Sequence, residues 1–118
     1  KIVRVVWSPE SDKVAVAFGK NPAFTQTRLF QHLEGKWQPV RLAPLFPTEL
    51  KNLAENRFEA KQHRAEAHHW QDNGTIVIDC FGHFTKGDEF DGFAKQVSVE
   101  IRPEGTSTVT GIVDKSEL

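Results

Sequence analysis

This chain has a single cysteine and neither methionine nor tyrosine. One cysteine, Cys80, excludes an intrachain disulfide and a metal site built from several thiolates. It lies in the strand-like run 76–81, where a buried free thiol is ordinary. The absence of methionine, at Lys1 and throughout, leads us to expect a trimmed or mature chain. The aromatic residues, nine phenylalanines and three tryptophans, are typical core material.

Long hydrophobic runs and an excess of one charge are also missing. No segment approaches the ~20 apolar residues of a membrane-spanning helix, so we expect no membrane insertion within this chain. The 15 basic residues are scattered among 16 acidic ones, for a net charge of −1. This distribution lacks the basic stripe of a nucleic-acid-binding protein. A length of 118 residues fits one soluble domain with a single core.

The first third predicts two antiparallel hairpins in a row. Pro9 and Asp12 suit the first turn, and Glu34 with Gly35 suits the second. A loop at Asn21-Pro22 separates the hairpins. The four predicted strands are 2–7, 14–18, 27–33 and 36–42, which together form a meander.

The second half follows the same order of features. A weak strand ends at Trp70, and Asn73-Gly74 is the strongest short hairpin signal in the chain. A loop is expected over 85–92, and a further turn at Pro103-Glu104-Gly105. Apolar and polar residues alternate along 93–102, which is typical of a half-buried strand. The predicted strands are the segment from His63 to Trp70, then 75–84, 93–102 and 108–113.

The segment 44–62 between these halves predicts a helical connector. Pro47 and Thr48 are typical of a helix start, and Leu50 and Leu53 follow helical spacing, which predicts a helix over about 48–62. A competing prediction is one long helix that continues to His69, because 58–67 is rich in Ala, Glu, Lys and Arg. The long helix would make the fold α+β, and only the repetition of the tryptophan pattern places a strand near His63.

That pattern is a tryptophan followed by a polar turn and a strand, at Trp7 and again 63 positions later at Trp70. The first copy, Trp7-Ser8-Pro9-Glu10-Ser11-Asp12-Lys13-Val14, resembles the W-S-P-D-G signature of β-propeller blades of the TolB and WD40-like type. Here Glu10-Ser11 replaces the family's Asp-Gly, and the second copy lacks the Ser-Pro pair. The resemblance implies blade-like meanders and a bacterial periplasmic, secreted or envelope protein rather than a cytoplasmic one. It implies no activity, since such blades carry many functions.

Two blades cannot close a propeller, which takes about four to eight. The predicted fold is mainly β: two four-stranded antiparallel blade-like meanders packed together, with one short helix between them. The single domain 1–118 then divides into a first repeat over 1–43, a connector over 44–62 and a second repeat over 63–113. The alternatives are a fragment of a longer propeller and an assembly of several copies.

Histidines are concentrated around the second hairpin. Imidazoles bind zinc and copper, so His63, His68, His69 and His83 are candidate metal ligands. Pairing about the turn places His68 or His69 near 75–77 and His83 opposite His63. No His-x-His pattern and no pair spaced i,i+4 defines a site, and we predict no cofactor. A small metal- or ligand-binding protein is the alternative function.

The leading function is a non-enzymatic protein-interaction or structural module. No serine has a G-x-S-x-G context, and Cys80 lacks a basic neighbour, so we predict no enzyme. Open sheet edges favour binding of another protein or of a second copy. The candidate contact residues are Phe90 and Phe93, in or next to the acidic loop 87–92, and Leu45 and Phe46 in the proline-rich segment 39–47.

Overall fold

The computed structural model describes residues 1–115. The mainly β prediction is confirmed, and the helix between the fourth and fifth strands is the only one in this range. No helix among these residues has the length and apolarity needed to cross a membrane. The elements are β1 Ile2–Trp7, β2 Lys13–Asn21, β3 Phe24–Leu33, β4 Lys36–Val40, α1 Pro47–Glu55, β5 Glu59–Asp72, β6 Thr75–Lys86, β7 Glu89–Ile101 and β8 Ser107–Asp114.

The described strands form one mixed open sheet, in the order β1-β2-β3-β5-β6-β7-β8, with β4 paired to β3. The prediction of two separate blades packed together is wrong. Strands β1–β4 and β5–β8 are antiparallel meanders, but β3 and β5 join them in parallel, with Phe24 opposite His63 and Thr25 opposite Arg64. The short β4 pairs only with Leu29–Leu33, so the other half of β3 has a free edge that β5 occupies.

Helix α1 is shorter than predicted. It ends at Glu55, and β5 begins at Glu59 rather than near His63, so both the helix over 48–62 and the long helix to His69 are wrong. Arg57 adopts a left-handed conformation with φ 63°, which stops the helix. Strand pairing of Glu59 with Thr85 outweighs the helix propensity of the alanine- and lysine-rich segment that follows.

The loop predicted over 85–92 is also wrong. Strand β6 continues to Lys86, which pairs with Glu89 at the start of β7. The two-residue turn between them begins with Gly87 at φ 59°, as a type II′ turn requires. A tight hairpin therefore replaces the loop, and Phe90 lies in a strand opposite Thr85.

The core lies against one face of the sheet, which we call the inner face. Ile76, Ile78, Val97 and Val99 are at most 1% exposed and pack with Leu29 of the first meander. Phe46, Leu45 and Leu50 from the connector and α1 cover this cluster. Burial of a large aliphatic side chain stabilises a fold by roughly 1.5–3 kcal/mol, so this face accounts for much of the driving force.

The two turns of the tryptophan pattern contact each other. Asn73 Nδ2 donates to Asp12 Oδ1 at 3.0 Å, and the Glu10 N–H donates to Asn73 Oδ1 at 2.9 Å. Partial burial raises the pKa of Asp12, but hydrogen bonds from Asn73 and Lys13 outweigh it, so the pKa lies below its ordinary value. The tryptophans themselves are not equivalent: Trp70 Nε1 donates to the Val6 carbonyl, whereas the Trp7 side chain is exposed.

Candidate functional site

The first candidate surface is the sheet face opposite the core in the first meander, which we call the outer face of β1–β4. The register places alternate residues of the four strands on it, in rows such as Trp7, Val14, Phe30 and Pro39. The inner face of the same strands carries buried apolar residues such as Ala15, Leu29 and Val40 together with buried polar ones such as Thr27 and Gln31. The outer-face residues that pair with a residue of a neighbouring strand are Ile2, Val5, Trp7, Val14, Val16, Phe18, Gln26, Arg28, Phe30, His32, Trp37 and Pro39.

The side chains of two tryptophans project from the outer face. Trp7 and Trp37 are 54% and 46% exposed, and their rings meet edge to face with centroids 5.7 Å apart. His32 packs on Trp37 at 5.2 Å. Arg28 is the one formally charged residue among the paired members, and its guanidinium lies 4.6 Å from the centre of the Phe18 ring. The face is therefore aromatic, apolar and nearly uncharged.

Sequence reasoning placed these tryptophans in the core. The signal that could have corrected this is in β1 and β2 themselves: both odd and even positions are apolar along Val14-Ala15-Val16-Ala17-Phe18. In an antiparallel sheet with one solvated face, every second residue is polar. A strand that is apolar on both faces implies that something covers each face.

The second candidate is a groove of about 740 Å³ between α1, the C-terminal half of β6 and the N-terminal half of β7. We call it the α1 groove. A hollow of about 510 Å³ continues it toward the Gly87 turn, and both are lined by Asn56, Phe58, Phe90 and Asp91. The walls are rich in phenylalanine: Phe46, Phe58, Phe81, Phe90 and Phe93.

Three of the four predicted contact residues, Phe46, Phe90 and Phe93, line this groove. The rings of Phe46 and Phe93 are 5.2 Å apart, and Phe90 is 78% exposed. Phe46 precedes α1 in a left-handed conformation, φ 54°, and its side chain is only 7% exposed. Leu45 lies apart from the groove, in a smaller cavity of about 250 Å³ beside Val97 and Ile112.

Charged side chains surround the aromatic walls. Lys95 Nζ lies 5.1 Å from the centre of the Phe46 ring, and Lys86 Nζ lies 5.9 Å from that of Phe58. A cation over an aromatic face is attracted by the ring quadrupole. The carboxylate residues that line the groove and its extension are Glu49, Asp88, Glu89, Asp91 and Asp114.

The structure does not bring the four candidate histidines together. His63 is half-buried on the inner face against Phe84 and Phe93, and burial lowers its pKa. The Nδ1 atoms of His68 and His69 are 2.6 Å apart, while His83 packs against Phe90. Within residues 1–115, no group of three or more His, Cys, Asp or Glu side chains is arranged to hold a metal ion.

His68 belongs instead to a polar cluster on β5 and β6. Its Nε2 lies 3.8 Å from Asp79 Oδ2, and Asp79 accepts hydrogen bonds from Gln96 and Lys115. The neighbouring Cys80 is 4% exposed. Burial, and then the charge of Asp79, raises the pKa of Cys80 to about 12, so the thiol is a poor nucleophile at neutral pH.

No protein-family model, curated protein sequence or solved structure matches this chain. The resemblance to propeller blades depends only on the residues around Trp7 and Trp70. The outer face of β1–β4 and the α1 groove are therefore the structural grounds for a function.

Proposed function

We propose that this chain is a non-enzymatic protein-interaction module whose contact surface is the outer face of β1–β4, and that its partner there is a second copy of the chain. The observation that supports this is the apolar and aromatic character of the outer face, although the core already lies on the other side of these strands. The inner face is covered by the core, whereas Val5, Trp7 and Trp37 on the outer face are exposed. Exposed apolar patches of this kind mark interaction sites.

The size of the outer face suits an interface. Four strands about 4.8 Å apart, with about six residues each at roughly 3.4 Å per residue, span a projected area of about 400 Å². This is within the ~300–600 Å² of the largest functional patches on monomers. The projected area is about half of the ~800 Å² per partner of a standard interface, and the exposed rings of Trp7 and Trp37 add accessible surface to it.

The charge of the outer face favours a second copy as the partner. Arg28 is its one formal charge among the paired residues, and that charge is already engaged with Phe18. Two such faces can meet about a two-fold axis without like charges opposing each other. Two sheets that pack in this way lie about 10 Å apart, as in a β-sandwich.

Sedimentation equilibrium over a wide concentration range tests the proposal. We expect the unaltered chain to be dimeric and its tryptophan emission to shift to shorter wavelength as it associates. In Trp37→Glu each copy places a carboxylate in the apolar interface, so dimerisation should weaken by about 100-fold, because a buried unpaired charge costs several kcal/mol. Trp37 is on the short strand β4 and half-exposed, so the fold should persist, which far-UV circular dichroism checks.

The matched control is Phe90→Glu, which makes the same chemical change at an exposed aromatic residue in the α1 groove. It should leave dimerisation unchanged. A monomer at millimolar concentration, or equal loss of dimer in both variants, would contradict the proposal.

A further inference from the structure

We propose that the α1 groove binds an extended peptide segment that carries arginine between apolar side chains. This inference concerns the second meander and does not depend on the dimer proposed above. It follows from the shape of the groove, its charge and the chemistry of its walls.

The shape favours an extended ligand. The groove and its extension, about 740 and 510 Å³, share four lining residues and form a continuous hollow from α1 to the Gly87 turn. Compact metabolites occupy single pockets of roughly 300–1,000 Å³. Two joined hollows of this size suit several consecutive residues of a peptide.

The floor of the groove is already in place without a ligand. Phe46 is buried against Phe93. Gly82 faces the rings of Phe84 and Phe93 so closely that a Cβ there would lie 2.7 Å from Phe84 Cε1 and from Phe93 Cε2. The packing therefore holds the Phe93 ring in position between its neighbours. A preformed apolar floor lowers the ordering cost of binding.

The charge of the groove is complementary to a cationic ligand. Five carboxylate residues and two lysines line the two hollows, a net charge of −3, whereas the whole chain carries −1. Asp114 already takes part in another interaction, and the other four carboxylates still outnumber the lysines. One Asp91 oxygen accepts the Gly92 N–H at 2.7 Å, and its second oxygen remains as an acceptor.

The aromatic walls hold cations within this chain. Lys95 lies over Phe46 and Lys86 over Phe58, so the groove already uses ring faces in this way. Phe90 lines the groove and is 78% exposed, so its ring face is open to a further cation, and the Asp91 carboxylate lines the groove from the opposite face of β7. Arginine fits better than lysine, because its planar head stacks on rings and bonds carboxylates through two N–H groups.

The test is a titration of the full chain, labelled with ¹⁵N, by an acetylated and amidated peptide in which two arginines alternate with three leucines. The control peptide has citrulline in place of arginine, which preserves shape and removes charge. We expect amide resonances of Asn56, Phe90 and Asp91 to shift with the arginine peptide. Binding should weaken with added salt, because exposed charge pairs are screened.

Two variants and two controls locate the site. Asp91→Asn preserves the Gly92 hydrogen bond and removes the charge. Phe90→Ala removes the exposed ring. Each should weaken binding by about 5-fold, the upper range for an exposed charge pair and for an exposed cation–π contact. Glu34→Gln removes an exposed carboxylate from the β3–β4 turn and should leave binding unchanged. Trp37→Glu, which tests the dimer, should also leave it unchanged.

The proposal is overturned if the citrulline peptide binds equally well, if no resonance shifts at millimolar peptide, or if the shifts centre on Trp7 and Trp37. It is also overturned if Asp91→Asn and Glu34→Gln have the same effect. Failure of the dimer in sedimentation would leave these outcomes unaffected, so the two proposals can fail separately.

Discussion

The hydroxyl group of Thr27 bridges β3 and β5 beyond their short parallel ladder. Thr27 Oγ1 donates to the Ala65 carbonyl at 2.8 Å and accepts from the Ala67 N–H at 3.0 Å. The parallel ladder between the strands covers only two residue pairs, at Phe24 and Thr25, so this side chain continues the pairing where the backbones diverge. Thr27 is 5% exposed, and water cannot easily replace it.

We predict that Thr27→Val lowers the free energy of unfolding by about 3 kcal/mol. The substitution preserves the branched shape but leaves two buried backbone groups unpaired, each at a cost of about 1–3 kcal/mol. Thr27→Ser retains the hydroxyl and loses one methyl group, for about 1 kcal/mol. The loss in Thr27→Val therefore measures the hydrogen bonds, and the loss in Thr27→Ser, about 2 kcal/mol smaller, measures the methyl group.

Urea unfolding, followed by far-UV circular dichroism, measures the free energy of unfolding of both variants. The comparison requires that the slope of this free energy against urea concentration, the m-value, is the same in each. Thr110→Val on the exposed side of β8 is the matched control and should change stability by less than about 0.5 kcal/mol. The reasoning is refuted if Thr27→Val is no less stable than Thr27→Ser, or if all three variants lose the same amount.

Two further predictions concern buried groups. Burial lowers the pKa of His63 in the folded chain below its value of about 6.5 in the unfolded chain. As the pH drops below about 7, the unfolded chain therefore binds the proton before the folded chain does, and the free energy of unfolding decreases. In His63→Leu, the free energy of unfolding, measured with urea, should depend less on pH, by up to ~1.4 kcal/mol per pH unit. An unchanged dependence on pH would contradict this prediction. Native Cys80 should resist iodoacetamide at pH 8 and react fully in urea, because its pKa is raised to about 12; rapid labelling of the native chain would refute this burial.

The local turns were the most predictable part of the fold. Asn73-Gly74 and Glu34-Gly35 both join antiparallel strands, and β1 has the predicted bounds. The predicted register about the second turn is close to the observed one, in which His69 faces Val77 and Gln62 faces His83. Turn chemistry and period-two patterning act over a few residues, so a sequence displays them directly.

Part of the groove was predictable as well. Phe46, Phe90 and Phe93 were predicted as contact residues from their apolar character in a proline-rich segment and near an acidic loop. All three line one groove, and their role in contacts stays a prediction. The metal hypothesis had no such geometric basis. The four histidines are close in sequence and strand register, but His63 is on the inner face and His68 beside Asp79. Proximity along the chain does not determine the side of a strand on which a residue lies.

By itself, the sequence determined the β content, the two antiparallel meanders and the start of a helix near Pro47, because these follow from local conformational preferences. Only the tertiary structure decided how the meanders join. The parallel contact of Phe24 with His63 and the bond of Asn73 to Asp12 connect residues far apart in the chain. Such contacts form because a strand edge and a buried polar group need a partner, wherever in the chain that partner lies.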